Sequence, residues 1–222
     1  MDAVALIGNP SAGKSTLVKI LLGLYQPSNG TIQINHQNLD EIDIKAYHKL
    51  FGIVFQDFSF FSASIAQNVR LDRCYDRNQI SEALNKSLFY KDNHLKTLSL
   101  DAMLTREFTD DGIVLSGGQA QKLIIARAFL EQPFTIMDEP SSALDVESEM
   151  QLNDAVLQNA GNKAVIIIAH RLTTAKRADR IIVMERGKII EEGTHTALMN
   201  KGGQYYRMFT LQAKQYQYAD EM

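Results

Sequence analysis

Apolar residues gather in short runs. Val4–Ile7, Gly52–Phe55, Phe134–Met137, Val165–Ile168 and Ile181–Met184 each give way to glycine or polar residues. Runs of this kind read as buried strands, in the main those of a parallel sheet. Thr31–Ile34 alternates instead, which predicts an antiparallel strand with one wet face. Ile181–Met184, the turn Glu185-Arg186-Gly187-Lys188 and Ile189-Ile190 predict a β-hairpin. Helical segments are expected over Leu17–Leu22, over Asp43–Leu50 and from Val146 onward. A further helix follows Thr194, and an apolar stripe of Met208, Phe209 and Leu211 marks a terminal helix over Gln204–Tyr218. Asp43, Asp145 and Thr194 are placed to cap helices. Strands and helices in alternation predict an α/β fold with a mainly parallel sheet and a small antiparallel part.

From Asp57 to about Thr109 no parallel-strand run occurs. Ser64–Arg70 and Asn78–Tyr90 have helical spacing, with Ile80, Ala83, Leu84 and Leu88 on one stripe. We therefore expect one domain over 1–222, with a core of 1–56 and 126–222 and a helical insertion of 57–125. Phe55, Phe58, Phe60 and Phe61 lie where the insertion leaves the core, either as hinge packing or as a partner surface.

The strand Val4–Ile7 runs directly into Gly8-Asn9-Pro10-Ser11-Ala12-Gly13-Lys14-Ser15-Thr16 and then a helix. Four fixed positions of this Gly-x-x-x-x-Gly-Lys-Ser pattern arise by chance in roughly one chain in a hundred of this length. The strand–loop–helix context is what makes the match count. Gly8 and Gly13 let backbone N–H groups turn around a phosphate, and the helix N-terminus adds its positive dipole end. Lys14 is expected to reach the β- and γ-phosphates of a nucleotide, and the Ser15 hydroxyl to ligate Mg²⁺. Leu115-Ser116-Gly117-Gly118-Gln119 opens a second helix, continuing through Ile124 and Ala126 to Leu130. Two glycines at a helix start leave N–H groups free to point at an anion, and Ser116 adds a hydroxyl. The chain thus carries two candidate phosphate sites far apart in sequence.

Other candidates sit at strand ends, where ligands bind in open parallel sheets. Asp138 and Glu139 end the Phe134 strand; paired carboxylates there are costly to bury unless they bind a metal or activate a water. Asp138 is the candidate Mg²⁺ ligand and Glu139 the candidate base. Gln56 ends the Gly52 strand and His170 follows the Val165 strand, where an imidazole beside a nucleotide can hydrogen-bond a γ-phosphate. His36, His48, His94 and His195 lack such placement and read as surface or packing residues.

Composition narrows the class. Of 222 residues 45% are hydrophobic, enough for a sizeable core. The net charge of −3 argues against non-specific nucleic-acid binding, which demands a basic face. The single Cys74 permits no internal disulfide and suits a reducing, cytosolic setting, where it serves as a small apolar residue. The run Ala164–Ala169 falls well short of the ~20 apolar residues a membrane span needs. No signal-peptide pattern opens the sequence, so any membrane connection is expected through a partner or through polypeptide beyond this stretch.

Taken together these motifs resemble the nucleotide-binding domain of ATP-binding-cassette (ABC) proteins, along essentially the whole chain. Gly8–Thr16 resembles Walker A, with Gly8, Asn9, Ser11, Ala12, Gly13, Lys14, Ser15 and Thr16 as nucleotide contacts. Gln56 resembles the Q-loop glutamine, and Leu115–Gln119 the signature motif, whose Ser116, Gly117, Gly118 and Gln119 face nucleotide. Phe134–Asp138 resembles Walker B, with Glu139 the catalytic carboxylate. Ser141–Asp145 resembles the D-loop and His170 the switch histidine. The resemblance implies a P-loop NTPase core, a helical subdomain and a reduced antiparallel β-subdomain. It implies ATP and Mg²⁺, with Ser15, Gln56 and Asp138 around the metal and Glu139, His170 and Gln56 in catalysis. It also implies a second such domain closing head to tail, as homodimer or heterodimer, and a transmembrane domain, fused or separate, on the cytoplasmic face of the membrane.

The stretches Phe55–Ser62, Ile65–Val69 and Glu192–His195 are similar to exporter-type domains. Two departures stand out. The family places about thirty residues, with an adenine-stacking aromatic, before the Walker A strand; here Met1–Ala3 precede it, so an N-terminally truncated form or fragment is expected. Asp110 stands where exporters place a Glu before the signature. The alternatives are a soluble ABC ATPase outside transport, separable by membrane fractionation, and a catalytically weak fragment, separable by ATP-driven dimerisation.

Overall fold

The computed structural model describes residues 3–71, 76–107, 110–138, 144, 146–158, 163–169 and 171–219. Its first elements are β1 (Ala3–Ile7), α1 (Lys14–Leu21), β2 (Gln33–Ile34), β3 (Gln37–Asn38), α2 (Ile44–His48) and β4 (Phe51–Val54). Three helices follow, α3 (Ile65–Val69), α4 (Arg77–Lys86) and α5 (Gly117–Ile125), and then β5 (Phe134–Asp138). The last part holds α6 (Val146–Gln158), β6 (Ala164–Ile168), α7 (Leu172–Ala175), β7 (Arg180–Glu185), β8 (Lys188–Gly193), α8 (His195–Lys201) and α9 (Gln204–Ala219).

Six strands form one sheet in the order β4-β5-β6-β1-β7-β8, parallel except for the final hairpin. All five apolar runs are in it. Alternate residues serve opposite faces, as the pleat requires. Leu6, Ile136 and Ile168 pack with Val18 and Leu22 on the α1 side. Ala5, Ile7, Met137, Val165, Ile167, Ile181 and Val183 join the larger core on the other side, with Leu123, Ile124 and Ile125 of α5. Each large aliphatic side chain buried this fully contributes about 1.5–3 kcal/mol.

Register fixes the working edge. Asp138 and Leu6 both pair with Ile168, one from each side. The end of β5 is therefore level with the end of β1, about 9–10 Å away across two strand spacings. The β7–β8 turn carries positive φ at Arg186 (49°) and Gly187 (75°), as a two-residue hairpin turn requires. The antiparallel part is smaller than Thr31–Ile34 suggests, since only Gln33 and Ile34 pair, with Asn38 and Gln37.

Among the described residues between β4 and β5, helices dominate, with two isolated bridges, Ser64 to Met103 and Leu104 to Ile113. Ser64 starts α3 through a capping box with Gln67. One expectation fails here. The helix expected to reach Tyr90 ends at Lys86, because Ser87 Oγ turns back to the Leu84 carbonyl (3.1 Å) and Leu88 is left-handed (φ 61°). Leu88 leaves the stripe, and Phe89 supplies the buried side chain instead. The helix from Gly117 likewise changes at Ala126 to a 3₁₀ turn, Ala126–Phe129.

Candidate functional site

β1 ends in the loop at Gly8. A Cβ placed on Gly8 would lie 2.3 Å from the Met184 carbonyl oxygen, so glycine is needed for the loop to cross β7. Ser11 (φ 64°) and Gly13 (φ 96°) are left-handed, and the alternation of hand curls the backbone into an anion-binding concavity. Gly187 of the hairpin turn donates its N–H to the Ala12 carbonyl at 2.9 Å and braces the loop from below. Gly13 begins α1 without any side-chain cap, and no acidic residue occupies the first turn. The helix start is left with its N–H groups and dipole available to an anion.

The cation of this site is Lys14. Its chain is 6% exposed, and Nζ donates to the loop's own carbonyls, Gly8 (2.9 Å) and Asn9 (3.2 Å). A cavity of about 330 Å³ opens over the loop, lined by Pro10 through Thr16 and by Gln56. Gln56, an exposed residue just past β4, lines this cavity together with the loop.

Asp138 sits at the tip of β5, 5% exposed, and its Oδ1 is buried without a hydrogen-bond partner. A buried carboxylate oxygen left unpaired costs several kcal/mol. A divalent cation or its water shell is a partner that fits it. No group of three or more His, Cys, Asp or Glu gathers among the described residues. Among the described residues, the Asp138 carboxylate and the half-buried Ser15 hydroxyl are oxygen donors of the kind that Mg²⁺ takes.

Signature residues 116–119 lie elsewhere, outside the lining of that cavity. Ser116 is the N-cap of α5, and its Oγ accepts from the Gln119 N–H at 3.3 Å. Gln119 Oε1 accepts in turn from the Ser116 N–H at 3.0 Å, closing a capping box. Simple helix capping is therefore real here and coexists with the anion geometry. Capping uses a lone pair of Ser116 and leaves its proton to donate. Gly117 and Gly118 keep first-turn N–H groups with no intrahelical acceptor. The Gln119 amide Nε2 reaches Asp92 Oδ2 (2.9 Å) and His94 Nε2 (3.3 Å). His94 therefore supports the signature turn, a contact across the insertion that nothing local in the sequence signals.

The chain matches the model of the ABC transporter family over residues 2–142. The chain belongs to the ABC transporter family. It carries that family's nucleotide-binding ATPase domain. It is 37% identical over 212 residues to the ATP-dependent lipid A-core flippase of Idiomarina loihiensis, covering 94% of this chain and 36% of that protein. It is 37% identical over 214 residues to ATP-dependent lipid A-core flippase 1 of Colwellia psychrerythraea, covering 95% of this chain and 35% of that one. The structure of a bacterial Atm1-family ABC exporter with ATP bound superposes with a TM-score of 0.84 at 30% identity, over 96% of this chain and 37% of the exporter. The chain thus spans little more than a third of the length of these relatives. Among the described residues no helix is long and apolar enough to cross a membrane.

Of the expected ABC residues, those from Pro10 to Thr16 share one cavity with Gln56. Gly8 and Asn9 lie outside that lining and accept from Lys14, and Asp138 stands at the sheet edge level with the end of β1. Glu139, Asp145 and His170, together with Cys74, lie outside the described residues. Their neighbours are informative. Arg171 pairs with Glu149 of α6 at 2.9 Å, and Asn153 Nδ2 of α6 donates to Thr174 Oγ1 of α7 at 3.2 Å.

Proposed function

We propose that this chain is the ATP-driven motor of a membrane exporter, hydrolysing MgATP between two copies of the domain or between this domain and a similar one. The observation that carries the reading is the cavity over the Gly8–Thr16 loop, with an uncapped helix start and a buried lysine beneath it. Phosphate oxygens are better acceptors for Lys14 than the two carbonyls it now holds. Asn9, Ser11, Ala12, Gly13 and Thr16 supply the surrounding donors. Ser15 and Asp138 would hold Mg²⁺, with Gln56 beside it; the ion would neutralise charge on the β- and γ-phosphates. Glu139 orients and polarises the attacking water, and His170 donates to the γ-phosphate.

One loop accounts for one side of the nucleotide. The exposed start of α5, with Ser116, Gly117 and Gly118, supplies donors that suit the γ-phosphate of a nucleotide bound by another copy. Gln119 acts through the capping box, and Asp145 belongs at the contact between the copies. Closure on ATP and reopening after hydrolysis would drive membrane helices, fused or separate, through the surface near Gln56. The domain then works at the cytoplasmic face of the membrane, and nucleic acid has no part in it.

The test is Mg²⁺-dependent ATPase activity of the full-length protein against Glu139→Gln. Loss of about 100-fold or more in kcat supports the reading. Wild-type turnover in the variant contradicts it.

A further inference from the structure

Three contacts bracket position 170 along the chain. On one side the Ala169 N–H donates to the Leu6 carbonyl of β1 at 3.1 Å. On the other the Arg171 guanidinium holds Glu149 of α6, a residue only 5% exposed. The third is long-range: the Leu172 N–H donates to Gln212 Oε1 of α9 at 2.6 Å, across 40 residues of sequence.

This last bond fills a specific need. Leu172 opens α7, and a first-turn N–H has no acceptor within its own helix. A Ser, Thr, Asn or Asp before the helix would serve locally. Here the N-cap is Arg171, whose side chain has only donors and makes no capping bond. The acceptor comes instead from α9. That helix is itself held at its start, where buried Glu191 accepts from the Gln204 and Tyr205 N–H groups at 3.0 and 2.8 Å. The fully buried Tyr205 adds a 2.7 Å hydroxyl contact to His195 Nδ1. Gln212 thus projects from a helix with a fixed origin, about 12 Å along its axis.

We propose that Gln212 is a positioning residue for ATP hydrolysis: by capping α7 from α9 it holds the residues that directly follow His170 in the chain. The inference rests on the reading of His170 given above. Gln212 is outside the lining of the nucleotide cavity, so its removal acts on turnover and leaves nucleotide binding in place.

The test compares Gln212→Leu, which removes the acceptor, with Gln212→Glu, which keeps one, in the full-length protein. Loss of one cap corresponds to about a fivefold change in the population of the held segment. We expect kcat for MgATP to fall about fivefold in Gln212→Leu with KM within about twofold of wild type. Gln212→Glu should restore most of the rate. Amide exchange at residues 171–175 should quicken in Gln212→Leu alone, while exchange in the central strands stays unchanged. Wild-type kcat in Gln212→Leu, a raised KM with unchanged kcat, or equal loss in both variants overturns the inference. A Glu139→Gln control measured beside them separates the two levels. If that control is inactive, the two Gln212 variants alone decide the positioning role. If it is fully active, the proposed function and the positioning role fall together.

Discussion

Lys14 Nζ donates to the carbonyl oxygen of Gly8 at 2.9 Å, so the loop itself takes part in holding its own cation. A buried ammonium could not remain at 6% exposure without such acceptors. The bond also presets the direction of the side chain, so that little ordering remains to be done when a phosphate arrives.

Lys14→Ala should therefore weaken ATP binding more than it weakens the fold. A charge-assisted hydrogen bond contributes about 1.5–3 kcal/mol, equivalent to roughly 10- to 100-fold in Kd. Titration with labelled ATP in the absence of Mg²⁺ measures this without involving hydrolysis. Unchanged affinity would remove Lys14 from the site.

Gly8→Ala should be a stability variant. The new Cβ would meet the Met184 carbonyl at 2.3 Å, and the obstacle is the backbone of β7 rather than a yielding side-chain tip. Overpacking of this kind costs about 1–3 kcal/mol, a loss of several degrees in Tm for a domain this size. Thermal unfolding monitored by circular dichroism reads it. A Tm within about a degree of wild type would show that loop and β7 have room the structure denies.

The anchor of α9 predicts a pH dependence. Burial, with Lys176 nearby, holds the His195 imidazole below its usual value of 6.5. Burial pushes the Tyr205 hydroxyl up to about 12, so it stays protonated against His195. As pH falls below about 6.5 the unfolded chain takes a proton that the folded chain refuses. The stability gained from neutral His195 is thus present above that pH and is lost on acidification until the folded pKa is reached. The fall in Tm from about pH 7 to about pH 5.5 should be smaller in His195→Gln than in wild type. Equal falls would mean that His195 is not linked to folding.

Much of the site was legible because it is local. Gly8 to Ser15 and Ser116 to Gln119 are contiguous, and loop geometry and capping depend on residues within a few positions. The apolar runs marked all the strands of the large sheet apart from the full extent of β8. Strand order is a different matter: that β1 lies between β6 and β7 depends on which faces bury together, and no single run encodes it. The left-handed Leu88 was missed because an apolar stripe reports spacing and is silent on φ. Long-range polar contacts were missed for the same kind of reason. Gly187 under Ala12, His94 beside Gln119 and Gln212 on Leu172 each join segments that only the folded sheet brings together.

The proposed sandwich of nucleotide between the loop of one copy and the α5 start of another is tested most directly by paired cysteines. The background is the full-length protein with Glu139→Gln and with all of its native cysteines, Cys74 among them, replaced by serine. Ser11→Cys and Ser116→Cys should cross-link between two copies when ATP is present. Little cross-linking is expected without ATP, and none when either new cysteine is absent. Cross-linking that ignores ATP, or ATP binding with no cross-link at all, would contradict the shared site.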